Sequence, residues 1–146
     1  MAESLPSVQP LLSAHFHVVM ADVDMAHILY YATPLRWAER ILTRWRREIG
    51  LPVSAMLTSG RGSPVVETRI TYARPLRMDD EVQARLWLDS RGRRAYTLRC
   101  DFHAGADGPI ANQVWITQVP VALDADGSMR ACDLPREMAE ALDRAA

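Results

Sequence analysis

The sequence predicts an α+β fold, with one long central helix wrapped by a strongly curved antiparallel sheet of about five strands. Two observations carry that expectation. A single amphipathic helical pattern occupies residues 33–50, and from residue 64 onward the apolar period changes from 3.6 to 2. With one substantial helix to cover the sheet, its second face is left partly open. Strand parity places Trp87 and Trp115 on that face. That face, or a sheet edge, is therefore expected to be closed by another copy of the chain, giving a homodimer or homotetramer.

The elements follow in order. Residues 1–12 carry Pro6 and Pro10 without periodicity and read as an N-terminal arm, with residues 13–146 forming one domain. His15 to Met20, rich in Phe16, Val18 and Val19, reads as a strand. Thr33 is the expected N-cap of the helix, and Pro34 fits its first turn because the missing N–H has no partner there anyway. Ala38, Ile41, Leu42, Trp45 and Ile49 form one apolar stripe, and Gly50 and Pro52 end the helix. Val53 to Ser63 reads as a loop with Ser59–Gly62 as its most flexible part. Strands are expected over Pro64–Tyr72, Glu81–Leu88, Arg93–Ala104 and Ile110–Leu123, joined by tight turns. Leu134 to Ala145 reads as a short final helix.

Composition excludes several classes. The 146 residues carry a formal charge of -1, which is not the balance of a nucleic-acid binder. Cys100 and Cys132 are too few for a disulfide framework or a cysteine-rich zinc site. No apolar run reaches the roughly 18 residues of a membrane span, and no signal-peptide pattern opens the chain. A cytoplasmic protein without membrane partners is expected. His15 and His17 share a strand face, but no third ligand accompanies them, so no metal site is expected.

The chemistry concentrates in Met20 to Trp37, M-A-D-V-D-M-A-H-I-L-Y-Y-A-T-P-L-R-W. Asp22 and Asp24 stand two residues apart in a mostly apolar stretch just before a helix N-terminus. There the helix dipole favours negative charge and free N–H groups can bind an oxyanion. A carboxylate so placed can attack a carbonyl or activate water. On spacing alone, either acid is equally a turn residue.

The stretch D-V-D-M-A-H-I-L-Y-Y-A-T-P-L-R-W-A-E resembles the signature of hotdog-fold acyl-CoA thioesterases of the 4-hydroxybenzoyl-CoA thioesterase type, with D-x-D followed by L-R-W and an acid. V-V-E-T-R-I-T-Y-A-R-P-L-R-M-D-D-E-V resembles that family's next two strands and their connection. The resemblance covers residues 14–123. It implies a hotdog fold and hydrolysis of an aryl or short-to-medium acyl-CoA, with coenzyme A entering as part of the substrate and no further cofactor.

The resemblance places the catalytic carboxylate on Asp24 and the oxyanion donor at the Tyr31 backbone N–H, with Asp22 in support. His27 stands where the family often has Gly; it is read either as a group contacting the acyl moiety or a water, or as a packed histidine. Thr33-Pro34 replaces a common Asn-Tyr pair. Glu39 matches an acid of the hotdog helix and is assigned a supporting role. Leu29 and Tyr30 are candidate acyl-pocket residues. Arg91, Arg93 and Arg94 are candidates for holding the coenzyme A phosphates, a task suited to guanidinium groups, with a solvated hairpin tip as the other reading. Arg61 is a weaker candidate of the same kind. Two other functions stay open: a non-catalytic acyl-CoA-binding hotdog protein, and an acyl-thioester dehydratase or hydratase using His27.

Overall fold

The computed structural model describes residues 9–145. It has an antiparallel sheet of five strands, a second sheet of three strands, three α-helices and a short 3-10 helix at Met20–Asp22. The strands of the large sheet are β1 (Leu12–His17), β3 (Val65–Tyr72), β4 (Glu81–Arg91), β5 (Tyr96–Ala104) and β6 (Ile110–Gln118), in the order β1-β4-β5-β6-β3. The α-helices are α1 (Thr33–Glu48), α2 (Val53–Thr58) and α3 (Arg136–Asp143). Strands β2 (Arg61–Gly62), β7 (Val121–Leu123) and β8 (Met129–Ala131) form the small sheet. Helix α1 has 16 residues and is one of three α-helices. The fold is α+β, with a five-stranded antiparallel sheet.

Periodicity becomes packing as expected along α1. Ala38, Ile41, Leu42 and Trp45 are buried against Val82, Ala84 and Leu86 of β4, Leu98 and Phe102 of β5, and Val114 and Ile116 of β6. The N-terminal half of α1 is held by an aromatic cluster. Trp37 meets Phe16 of β1 edge-on at 4.9 Å and Phe102 at 5.3 Å between ring centres. Such pairs contribute roughly 0.5–1.5 kcal/mol each beyond burial, and these fix the ring whose N–H reaches the candidate site.

Several boundaries move, each for a physical reason. The first strand begins earlier, at Leu12, because Leu12 is buried and Leu11 donates its N–H to the Leu86 carbonyl at 2.7 Å. The expected arm therefore ends before Leu11, and its first eight residues lie outside the described part. The loop expected at Val53–Ser63 contains α2 and β2. The strand expected over Ile110–Leu123 breaks after Gln118, near Pro120, which has no N–H to give a ladder; Val121–Leu123 then joins the small sheet. The hairpin tip lies at Gly92–Ala95, since β4 runs on through Ser90 and Arg91. Strands β3 and β4 are not hairpin partners. Strand β3 pairs with β6 and β4 with β1, so the 73–80 connection crosses from one side of the sheet to the other.

The second face of the sheet is polar. The guanidinium of Arg69 stacks on Trp115 at 3.7 Å, Thr97 and Thr117 share a hydrogen bond, and Arg99 pairs with Asp89 and Asp101. Arg69, and Arg99 at 5.9 Å from the Trp87 ring centre, thus lie over the tryptophans that parity had placed there. The barer surface is the edge strand β3, where Val65 and Val66 are more than half exposed.

Candidate active site

The two acids of the D-x-D motif have different environments. Asp22 is buried. Its carboxylate accepts the backbone N–H of Val19 at 2.9 Å and the indole N–H of Trp37 at 3.2 Å. Its carbonyl accepts the Tyr30 N–H and the Thr33 hydroxyl, both at 2.9 Å. Asp22 therefore ties the loop to both the start and the second turn of α1. Asp24 lies two residues further out, half-buried. One oxygen, Oδ1, accepts the Ala26 N–H at 2.8 Å in an Asx turn. Among the described residues, Oδ2 has no hydrogen-bond partner.

The chain reverses between the acids and the helix. Val23 and Leu29 form an antiparallel bridge, with Asp24 N–H bound to the Ile28 carbonyl at 3.1 Å. The His27 N–H closes the turn onto the Asp24 carbonyl at 3.0 Å. His27 takes φ 60, the left-handed region that glycine occupies without cost. The His27 ring is exposed and makes no hydrogen bond or ion pair with an acid among the described residues.

Helix α1 begins without a side-chain cap. The N-cap position falls on Ala32, and Thr33, expected to cap, is the first helical residue. The Thr33 hydroxyl is instead consumed by the Asp22 carbonyl and by Arg36, whose Nη2 donates to it at 3.1 Å. The backbone N–H groups of Tyr31 and Ala32, just before the first helical residue, have no acceptor among the described residues. Two consecutive free donors at a helix N-terminus suit an oxyanion.

The tyrosines form the neighbouring wall. The rings of Tyr30 and Tyr31 lie 4.7 Å apart. Hydrogen bonding to Tyr31 raises the Tyr30 phenol above its usual pKa; Asp24 adds to this and Arg36 opposes it, which places all four side chains in one electrostatic neighbourhood. Tyr72, at the end of β3, donates its hydroxyl to the Tyr31 carbonyl. Burial, then Tyr31, raises the Tyr72 pKa, so the hydroxyl stays protonated and able to donate through neutral pH. No local pattern marks Tyr72 for this role, because its partner is 41 residues away. Leu29 is buried and, with Ile28, Tyr72, Pro75 and Asn112, lines an open pocket of about 240 Å³.

Tyr72→Phe removes only the hydroxyl that holds the Tyr31 peptide. Its expected effect is a roughly 5- to 20-fold fall in kcat, below the about 10²-fold or more of losing a direct oxyanion donor. KM and the melting temperature should change little. Steady-state kinetics checks this, and an unchanged kcat contradicts a positioning role.

The remaining candidates make no hydrogen bond or ion pair with this loop among the described residues. Glu39 is exposed on α1, with no hydrogen bond or ion pair among the described residues. Arg91 pairs with Asp143 of α3, whereas Arg93 and Arg94 share Asp133 at 3.2 and 3.1 Å. Their hairpin lies at the far end of β4 from Glu81, next to which the Asp loop packs through the Val18 N–H on Asp80. Eleven strand residues separate the two ends by roughly 30 Å. Arg61 lies on the small sheet. His15 and His17 both face Glu81.

The profile of the Thioesterase-like superfamily matches residues 18–142, and the chain belongs to that family. Over 69 residues it is 32% identical to YneP of Bacillus subtilis (strain 168), named as a candidate acyl-CoA thioesterase. That match takes in 47% of this chain and 50% of YneP, so the chain spans about half the length of this relative. Slr0204, a 1,4-dihydroxy-2-naphthoyl-CoA thioesterase from Synechocystis, superposes with a TM-score of 0.81 at 17% identity, covering 90% of this chain and 94% of that one. BH1999 gentisyl-coenzyme A thioesterase gives 0.74 at 22% identity, over 88% and 99% of the two chains. SAV2348 from Staphylococcus aureus, solved in complex with CoA, gives 0.82 at 14% identity, over 97% and 87%. At these identities the structural matches establish the hotdog fold.

Proposed function

We propose that this protein hydrolyses an acyl-CoA thioester to the free acid and coenzyme A, with Asp24 as the reacting carboxylate and the Tyr31 N–H as the oxyanion donor. The observation that supports it most is the half-buried carboxylate with one unengaged oxygen, a few residues before two unengaged N–H groups at an uncapped helix start. In the reaction, Asp24 either attacks the carbonyl carbon, expelling the thiolate and leaving an anhydride that water opens, or takes a proton from the water that attacks. Both routes build negative charge on the carbonyl oxygen, which the free N–H groups then bind. No metal or bound cofactor takes part. Leu29 and Tyr30 border the acyl group, and a small aryl or medium alkyl group matches the pocket beside them. The experiment is thiol release from a panel of aryl and alkyl acyl-CoA substrates. Turnover of at least one supports the reading, whereas binding of acyl-CoA with no thiol released throughout the panel leaves a binding protein.

The arginine hairpin serves this site from a second copy of the chain. About 30 Å along β4 separates it from the end of the sheet at which the Asp24 loop packs, and the exposed β3 edge offers a surface for another protomer. Its ion pairs with Asp133 are solvent-exposed and contribute little, so a phosphate can displace them. Replacing Arg93 and Arg94 together with Ala should raise KM severalfold and leave kcat near wild type, because the nucleotide end binds ground and transition states alike. Added salt should weaken wild-type binding in the same direction. An unchanged KM, or a monomer by sedimentation in an active preparation, overturns the assignment.

A further inference from the structure

A buried arginine lies toward the other end of α1. Arg46 is buried, at 7% exposure, yet no carboxylate pairs with it among the described residues. Its Nη2 donates to the Tyr96 hydroxyl at 3.0 Å and to Gln118 Oε1 at 2.7 Å. Both partners are neutral and already bonded to each other and to Ser63. Nε is buried without an acceptor, and Nη1 has none among the described residues. A buried cation left without a counter-charge is costly, because desolvation is not returned by pairing.

Arg46 forms part of the wall of a cavity of about 290 Å³. The rest is largely apolar, with Met56, Leu57, Val121 and Met129 among its lining, and no aspartate or glutamate borders it. Arg61, exposed and without an ion pair among the described residues, stands on the same wall. The cavity is separate from the Asp24 loop: Arg46 lies nine residues along α1 from Trp37, about 13 Å by helix rise, and its other walls come from α2, β2, β7 and β8.

We propose that this cavity binds a small apolar monocarboxylic acid, its carboxylate on Arg46 and its hydrocarbon against the apolar walls. The carboxylate supplies the counter-charge that the protein lacks, and charge-assisted hydrogen bonds are the strong ones. The small volume, at the lower end of ligand pockets, limits the acid to a short chain or one ring. Arg61 then draws the anion to the mouth. The inference is independent of the hydrolytic reading.

The test is calorimetric titration of the full chain with hexanoate, using hexanamide as the uncharged analogue and inorganic phosphate as the anion without a tail. Hexanoate should bind at least tenfold more tightly than either control, a factor equal to about 1.4 kcal/mol. Asp24→Asn should keep that binding. Gln118→Glu places a carboxylate against Arg46 from within; it should melt higher than wild type and lose hexanoate binding. Arg46→Met should lose it as well, and the internally neutralised variant covers the case in which that protein does not fold. Several results overturn the proposal: no hexanoate binding by wild type, binding that survives Gln118→Glu, loss of binding in Asp24→Asn, or phosphate binding as tight as hexanoate.

Discussion

Asp24→Asn should lower kcat by roughly 10²-fold or more, the scale of losing a positioned acid-base group, while the protein folds and still binds acyl-CoA. The substitution keeps the side chain's size and leaves an oxygen able to accept the Ala26 N–H, so the Asx turn survives. It removes the negative charge from the oxygen that has no other partner, and an amide neither attacks a thioester nor accepts a proton from water. Half-buried, Asp24 contributes little to packing. The melting temperature should therefore change by only a few degrees. A matched loss of kcat and stability would instead make Asp24 a turn residue.

Asp22→Ala should have the largest effect on stability. Removing the carboxylate leaves the buried Trp37 indole N–H and the part-buried Val19 N–H without acceptors. Each orphaned donor costs about 1–3 kcal/mol, so a total near 3 kcal/mol is expected. For a chain of this size that is a fall in melting temperature of roughly 6–12 °C at fixed protein concentration. Catalysis should fall as well, since Asp22 orients the loop that carries Asp24 and Tyr31. Asp22→Asn, which keeps one acceptor, should cost less on both counts. Trp37→Phe removes the donor but keeps the ring's packing on Phe16 and Phe102. A double-mutant cycle between positions 22 and 37 should therefore show a coupling of about 1 kcal/mol or more. An Asp22→Ala protein that melts with the wild type would remove Asp22 as the anchor.

Much of the fold is legible in local pattern, because burial on one face imposes a period that the sequence displays. The stripe from Ala38 to Trp45, and the alternation of Tyr96, Leu98, Cys100 and Phe102, both appear as buried faces. Pattern is silent on which strands pair. Strand β3 lies beside β6, and the small sheet joins Arg61–Gly62 to Val121–Leu123; both pairings depend on long-range register. The candidate site shows the same division. The D-x-D spacing marks both acids but not their difference, since only the fold sets Trp37 against Asp22 and leaves one Asp24 oxygen free. Tyr72 at Tyr31, and Arg46 among Tyr96 and Gln118, join residues 41 to 72 positions apart. Arg46 lies at the flank of the apolar stripe, four residues after Leu42, and its burial becomes visible only once the sheet closes over it.

The measurement that bears most directly on the site is a single-turnover thiol-release assay with saturating enzyme on the best acyl-CoA substrate. It compares wild type with Asp24→Asn, Asp22→Asn, His27→Ala and Glu39→Gln. If Asp24 is the reacting group, its substitution alone slows the chemical step by roughly 10²-fold or more, Asp22→Asn costs less, and the other two remain near wild type. Near wild-type turnover in Asp24→Asn, with activity abolished by substitution of Asp22, His27 or Glu39, would contradict the assignment.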